Sequence, residues 1–77
     1  MKEKSKAKSN YFVALEKIVA KRTELGITQL TVAEHLNLSE GGYFKVEKGK
    51  TKLDLERLFK ILELFEISPE EFLKDVK

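Results

Sequence analysis

The chain has 77 residues, 42% of them apolar, and a formal net charge of +2, which allows one small hydrophobic core but no second domain and no deep catalytic cavity. It contains no cysteine, which excludes disulfide staples and thiolate metal sites and fits a reducing compartment such as the cytoplasm. No apolar run approaches the roughly 18–20 residues that span a bilayer, and no apolar block follows the N-terminal lysines as in a signal peptide, so a soluble cytoplasmic protein is expected.

The charge is unevenly spread. Four lysines face only Glu3 within residues 1–9, and residues 53–77 carry four basic against seven acidic side chains. Such a gradient suits a polyanionic partner at the N-terminal two thirds, although ordinary solvated surface charge produces it as well.

Residues 1–9 alternate lysine with small or polar side chains and offer nothing to bury, so they are expected to form a flexible basic arm. From Asn10, the apolar residues Phe12, Leu15, Ile18 and Val19 recur at helical spacing, and Gly26 stands where a left-handed residue would end the first helix. Thr28 is a suitable N-cap for a short second helix carrying Val32, Ala33 and Leu36, and Asn37 stops it because asparagine tolerates positive φ. Ser39 offers the next cap, for a helix running from Glu40 to Lys48 and closed by Gly49. After a Lys50–Leu53 connector, Asp54 caps a fourth helix with the stripe Leu55, Leu58, Ile61, Leu62 and Phe65. Ser68-Pro69-Glu70-Glu71 reads as a capping box with proline at the first helical position, which places Phe72 and Leu73 on a short fifth helix. No segment alternates as a strand, so the fold class is all-α, a single domain over 10–77.

Two short helices separated by Asn37-Leu38-Ser39 have the geometry of a helix-turn-helix unit, in which the second helix lies in the major groove of DNA. A generic helical bundle has the same spacing. The residues narrow this: Ile27-Thr28-Gln29, Val32-Ala33, Leu36, Leu38-Ser39 and Val46-Glu47-Lys48-Gly49-Lys50, continued by Asp54-Leu55-Glu56-Arg57-Leu58, resemble the Cro-like, XRE-type family of phage repressors and bacterial regulators. The resemblance covers residues 12–73. It implies a compact five-helix fold of the lambda-repressor type, sequence-specific binding of double-stranded DNA through a recognition helix at about 39–48, and a homodimer on a palindromic operator.

Carried over residue by residue, the resemblance puts Glu40, Gly41, Phe44 and Lys45 against the bases and turns Tyr43 and Val46 to the core. Lys45 would donate to guanine O6 and N7, Glu40 would accept from cytosine N4, and Phe44 would lie against a thymine methyl. Gly41 and Gly42 bring no side chain and weaken the helix by roughly 1 kcal/mol each relative to alanine. Phosphate contacts are expected from Gln29 and Ser39, from Arg22, and from Lys48, Gly49 and Lys50 through backbone N–H and ammonium groups. The lysines of the arm, Lys2, Lys4, Lys6 and Lys8, either follow phosphates or only keep a tail soluble. Leu64, Phe65, Ile67, Phe72 and Leu73 are the residues from which a dimer surface would be drawn.

Enzymatic chemistry is not expected. His35 is the single histidine and has no second ligand for a metal. Ser9, Ser39 and Ser68 stand where helices need caps, and Gly41-Gly42 lacks the spacing of a phosphate loop. No cofactor, small-molecule substrate or membrane is implied. The alternative left open is a protein-interaction module of the same fold, antitoxin-like or scaffolding, to which Glu40, the paired glycines and the acidic C-terminal third would belong.

Overall fold

The computed structural model describes residues 6–74, which form five helices: α1 Lys6–Glu24, α2 Gln29–His35, α3 Glu40–Glu47, α4 Leu55–Phe65 and α5 Pro69–Leu73. No strand occurs among the described residues. The starts of α2, α3, α4 and α5 each follow from a side chain that satisfies an otherwise orphaned N–H. Thr28 accepts from Thr31 N, Ser39 from Gly42 N, Asp54 from Arg57 N and Ser68 from Glu71 N.

Four helices end in the same way. At Gly26, Asn37, Gly49 and Glu66 the backbone turns left-handed, with φ of 70°, 59°, 78° and 59°. In each case the following N–H reaches back five residues to a helix carbonyl: Ile27 to Arg22, Leu38 to Ala33, Lys50 to Lys45 and Ile67 to Leu62. This pattern satisfies carbonyls at the helix end while reversing the chain, which lets short helices follow one another closely.

The core is one cluster drawn from every helix: Leu15 and Ile18 of α1, Val32 and Ala33 of α2 with Leu36 just after it, Tyr43 and Val46 of α3, Leu58, Ile61, Leu62 and Phe65 of α4, and Phe72 of α5. Among the described residues, no charged or polar residue is fully buried. α2 packs chiefly on α3 and α4, α1 reaches α3, and α5 closes against α4. α1 is tied to α5 by the Lys17 ammonium, which donates to the Phe72 carbonyl and lies 5.2 Å from the centre of its ring.

Several expectations change. Lys6–Ser9, expected in the basic arm, are the first turn of α1, so Ser9 lies inside that helix and is not its cap. Lys2 and Lys4 lie outside the described residues. Leu55, counted in the apolar stripe of α4, is 67% exposed because it is the first residue after the cap. Of the residues from which a dimer surface was to be drawn, Phe65 and Phe72 are buried and Leu64 and Ile67 pack on the core, leaving Leu73 exposed.

Candidate nucleic-acid interface

α2 and α3 are joined by Leu36–Ser39, and the turn is fixed at both sides: Leu38 N donates to Ala33 O at 2.8 Å, and Ser39 accepts from Gly42 N at 3.0 Å. α3 then presents two contrasting faces. Tyr43 and Val46 are buried, whereas Glu40, Gly41, Phe44 and Lys45 are exposed. The outer face brings together the four residues expected to meet bases. Phe44 is covered on one side by the Lys48 ammonium, 5.4 Å from its ring centre, so an apolar surface and a cation stand side by side along the ridge.

The inner end of α3 carries a polar knot. Glu47 receives Arg22 Nε at 2.7 Å and Arg22 Nη2 at 3.1 Å, together with Gln29 Nε2 at 2.9 Å. Arg22 also donates through Nη1 to Ile27 O at 3.1 Å. One carboxylate therefore joins the last turn of α1, the first residue of α2 and the last residue of α3. A bidentate guanidinium pair is directional as well as attractive, so it sets angles between helices and not merely their proximity.

The side chains of Arg22 and Glu47 are only 14% and 5% exposed, and the electrostatics follow. Burial alone would raise the Glu47 carboxyl, but hydrogen bonding from Arg22 and Gln29, with the Tyr43 hydroxyl close by, outweighs it and holds the group below its ordinary range. The hydrogen bond to Glu47 raises Arg22 in turn, against the opposing effect of burial. Burial is also the main reason that the Tyr43 phenol is pushed upward, with Glu47 adding to it. The Tyr43 hydroxyl lies beside this pair but reaches hydrogen-bond geometry with no partner.

These contacts redistribute the expected phosphate contacts. The Arg22 and Gln29 side chains point to Glu47, not outward. The backbone N–H groups of Lys48, Gly49 and Lys50, expected to meet phosphates, donate here to Phe44 O, Val46 O and Lys45 O at the end of the helix. Gly49, having no side chain, serves the turn: its φ is +78°, and a Cβ there would stand 2.9 Å from Phe12 Cε1. Lys48 and Lys50 keep exposed ammonium groups, and Ser39 keeps an exposed side chain at the start of α3. Glu47, the hub of the knot, is not among the residues expected at the site: in the sequence it is only part of the run that carries the resemblance, and no periodicity links it to Arg22, 25 positions away. Among the described residues no group of His, Cys, Asp and Glu could hold a metal ion.

Two short helices with a fixed turn, the second showing an uncovered ridge, define a helix-turn-helix protein. The family model described as helix-turn-helix matches residues 18–72, and the chain belongs to this family, of XRE or lambda-repressor-like type. It is a DNA-binding regulatory domain, of a family that is not typically enzymatic. No curated protein and no solved structure gives a significant match to the chain. No described helix is long and apolar enough to cross a membrane.

Proposed function

We propose that this protein is a cytoplasmic, sequence-specific transcriptional repressor that binds a palindromic operator as a homodimer and reads it with α3. The observation that carries this reading is the division of α3 into a buried face and an exposed one on which Glu40, Gly41, Phe44 and Lys45 lie together. Lys45 donates to guanine, Phe44 covers a thymine methyl, Glu40 accepts from a cytosine amine, and Gly41 lets the backbone approach the base edges. Ser39, Lys48 and Lys50 flank the ridge and neutralise or hydrogen-bond phosphates on either side of the groove, with Gly49 shaping the turn between the two lysines. Arg22 and Gln29 act through Glu47 by holding the angle at which α3 enters.

Selection of bound duplexes from a random library tests binding, specificity and symmetry together. The expected outcome is a two-fold repeat with half-sites about one helical turn apart and an affinity that falls steeply with salt. Recovery of no preferred sequence would refute specific reading. For the dimer, the large apolar residues exposed toward the C-terminal side among the described residues are Leu55, Phe59 and Leu73; a protein that sediments only as monomer, both free and on its operator, would overturn the two-fold assembly.

A further inference from the structure

Glu40, Gly41 and Phe44 form a triangle of unlike surfaces at the exposed start of α3. Glu40 and Phe44 are one helical turn apart, a spacing that sets their Cβ atoms about 5–6 Å from each other on one face. Gly41 leaves the third corner empty, since a Cβ there would meet nothing within 4 Å. An exposed carboxylate and a 44% exposed aromatic ring thus stand side by side with open space next to them. Among the described residues no ion pair takes up the Glu40 carboxylate. The ring, in turn, is backed from the C-terminal side. Lys48 reaches back along the helix, as long helical side chains do, and brings its ammonium to 5.4 Å from the Phe44 ring centre. The same lysine lines a crevice with Phe12, Leu15 and Val19 of α1, so the support behind the ring is itself seated against another helix.

A pyrimidine that satisfies this pair must offer a hydrogen-bond donor to the carboxylate and an apolar group to the ring. In the major groove, cytosine offers its N4 amine but carries only hydrogen at C5. Thymine offers the C5 methyl but presents O4, an acceptor that a carboxylate repels. Cytosine methylated at C5 carries both the amine and the methyl, on adjacent ring atoms. We propose that Glu40 and Phe44 together recognise 5-methylcytosine, Glu40 by accepting from the N4 amine and Phe44 by covering the methyl, so that the chain senses methylation of its operator. This rests on the reading of α3 as the helix that reads bases, and it joins on one base the two contacts that a cytosine and a thymine would otherwise supply separately. The carboxylate also acts as the filter: any base that turns an acceptor toward it leaves a charge desolvated in the groove without a partner.

The test runs two selections in parallel, from a random duplex library made with cytosine and from one made with 5-methylcytosine in its place. Binding is then measured with cytosine, 5-methylcytosine or uracil at each selected pyrimidine in turn, with the matching purine opposite. At one position of the half-site the wild-type chain should bind 5-methylcytosine about fourfold more tightly than cytosine, the factor for burying one methyl group. At the same position it should prefer cytosine to uracil by about tenfold or more, as expected for a hydrogen bond to a charged group. Phe44→Ala should abolish the methyl gain and keep the preference for cytosine, and Glu40→Ala should do the reverse. Equal affinity for cytosine and 5-methylcytosine at every position overturns the proposal, and so does a methyl gain that survives Phe44→Ala. A gain at a base pair other than the one at which Glu40→Ala erases the preference for cytosine overturns it too. Selection of no sequence from either library would instead defeat base reading by α3 as a whole. The comparison of cytosine with 5-methylcytosine uses the wild-type chain, so it decides even where a variant does not fold.

Discussion

Glu47 and Lys45 stand two residues apart on α3 and belong to different regimes. Glu47, with Tyr43 and Val46, faces inward and ends in the Arg22–Gln29 knot, whereas Lys45, with Glu40, Gly41 and Phe44, faces outward. An eight-residue helix is too short to be stable in isolation, so its inner face must hold it in place for its outer face to be rigid. Stability and recognition are thereby separated by side-chain direction within one element, and substitutions on the two faces should give different signatures.

The largest effect belongs to the inner face. Glu47→Ala leaves a poorly exposed guanidinium without its partner, and loss of one member of such a pair costs about 3–5 kcal/mol; denaturant unfolding should show the lowered midpoint. A pH series sharpens the point. Because the folded carboxyl lies below its ordinary value, its contribution is complete above the unfolded pKa of about 4.3 and is lost as pH falls toward the folded one. The difference in stability between the wild-type chain and Glu47→Gln should therefore shrink over that acid window, and a difference that does not change with pH would show that the charge of Glu47 is not what holds the knot.

Gln29→Ala removes one of the three hydrogen bonds that the knot makes to Glu47 and is expected to lose about 1.5–3 kcal/mol of stability, the range for a bond to a charged group. Its effect on DNA should be uniform, weakening every duplex by a similar factor, because α3 loosens as a whole. Lys45→Ala is the opposite case. Unfolding should move by no more than about 0.5 kcal/mol, while discrimination at one base position falls by about 1–3 kcal/mol. Parallel affinity measurements on the operator and on single-base variants separate the two; similar losses across all duplexes for both substitutions would break the division between faces.

What the sequence discloses about this arrangement depends on how local the cause is. The caps at Thr28, Ser39, Asp54 and Ser68 act over three residues, and the left-handed turns at Gly26, Asn37 and Gly49 use residue types suited to positive φ, so helix starts and most helix ends are legible. Glu66 takes the same turn with a side chain that gives no such signal; there the pull of Ile67 onto the core outweighs a local preference. α1 starts four residues ahead of the expected Asn10, since Lys6–Ser9 carry no apolar periodicity that would announce a helix. The outer face of α3 could be read off by resemblance, since direction along a helix follows from spacing. The knot could not, because it joins three helices, and whether Arg22 and Gln29 turn toward a phosphate or toward Glu47 is decided only by their relative placement.

The smallest effect gives the finest test, since it sets two neighbouring glycines of α3 against each other. Around Gly41 an added Cβ would meet nothing within 4 Å, whereas at Gly42 it would lie 3.1 Å from Ser39 Oγ, the atom that caps the helix. Both substitutions to alanine gain helix propensity, by up to about 1 kcal/mol. Gly41→Ala should keep that gain, seen as a raised denaturant midpoint, while Gly42→Ala should lose most of it by crowding the cap, whose own contribution is about 1 kcal/mol. On DNA the order reverses. The Gly41 methyl stands on the exposed ridge and should alter the selected sequence or weaken binding, whereas the Gly42 methyl turns toward the cap and should leave base choice alone. A more stable Gly41→Ala protein with an unaltered operator preference would mean that the chain does not read bases at the exposed start of α3.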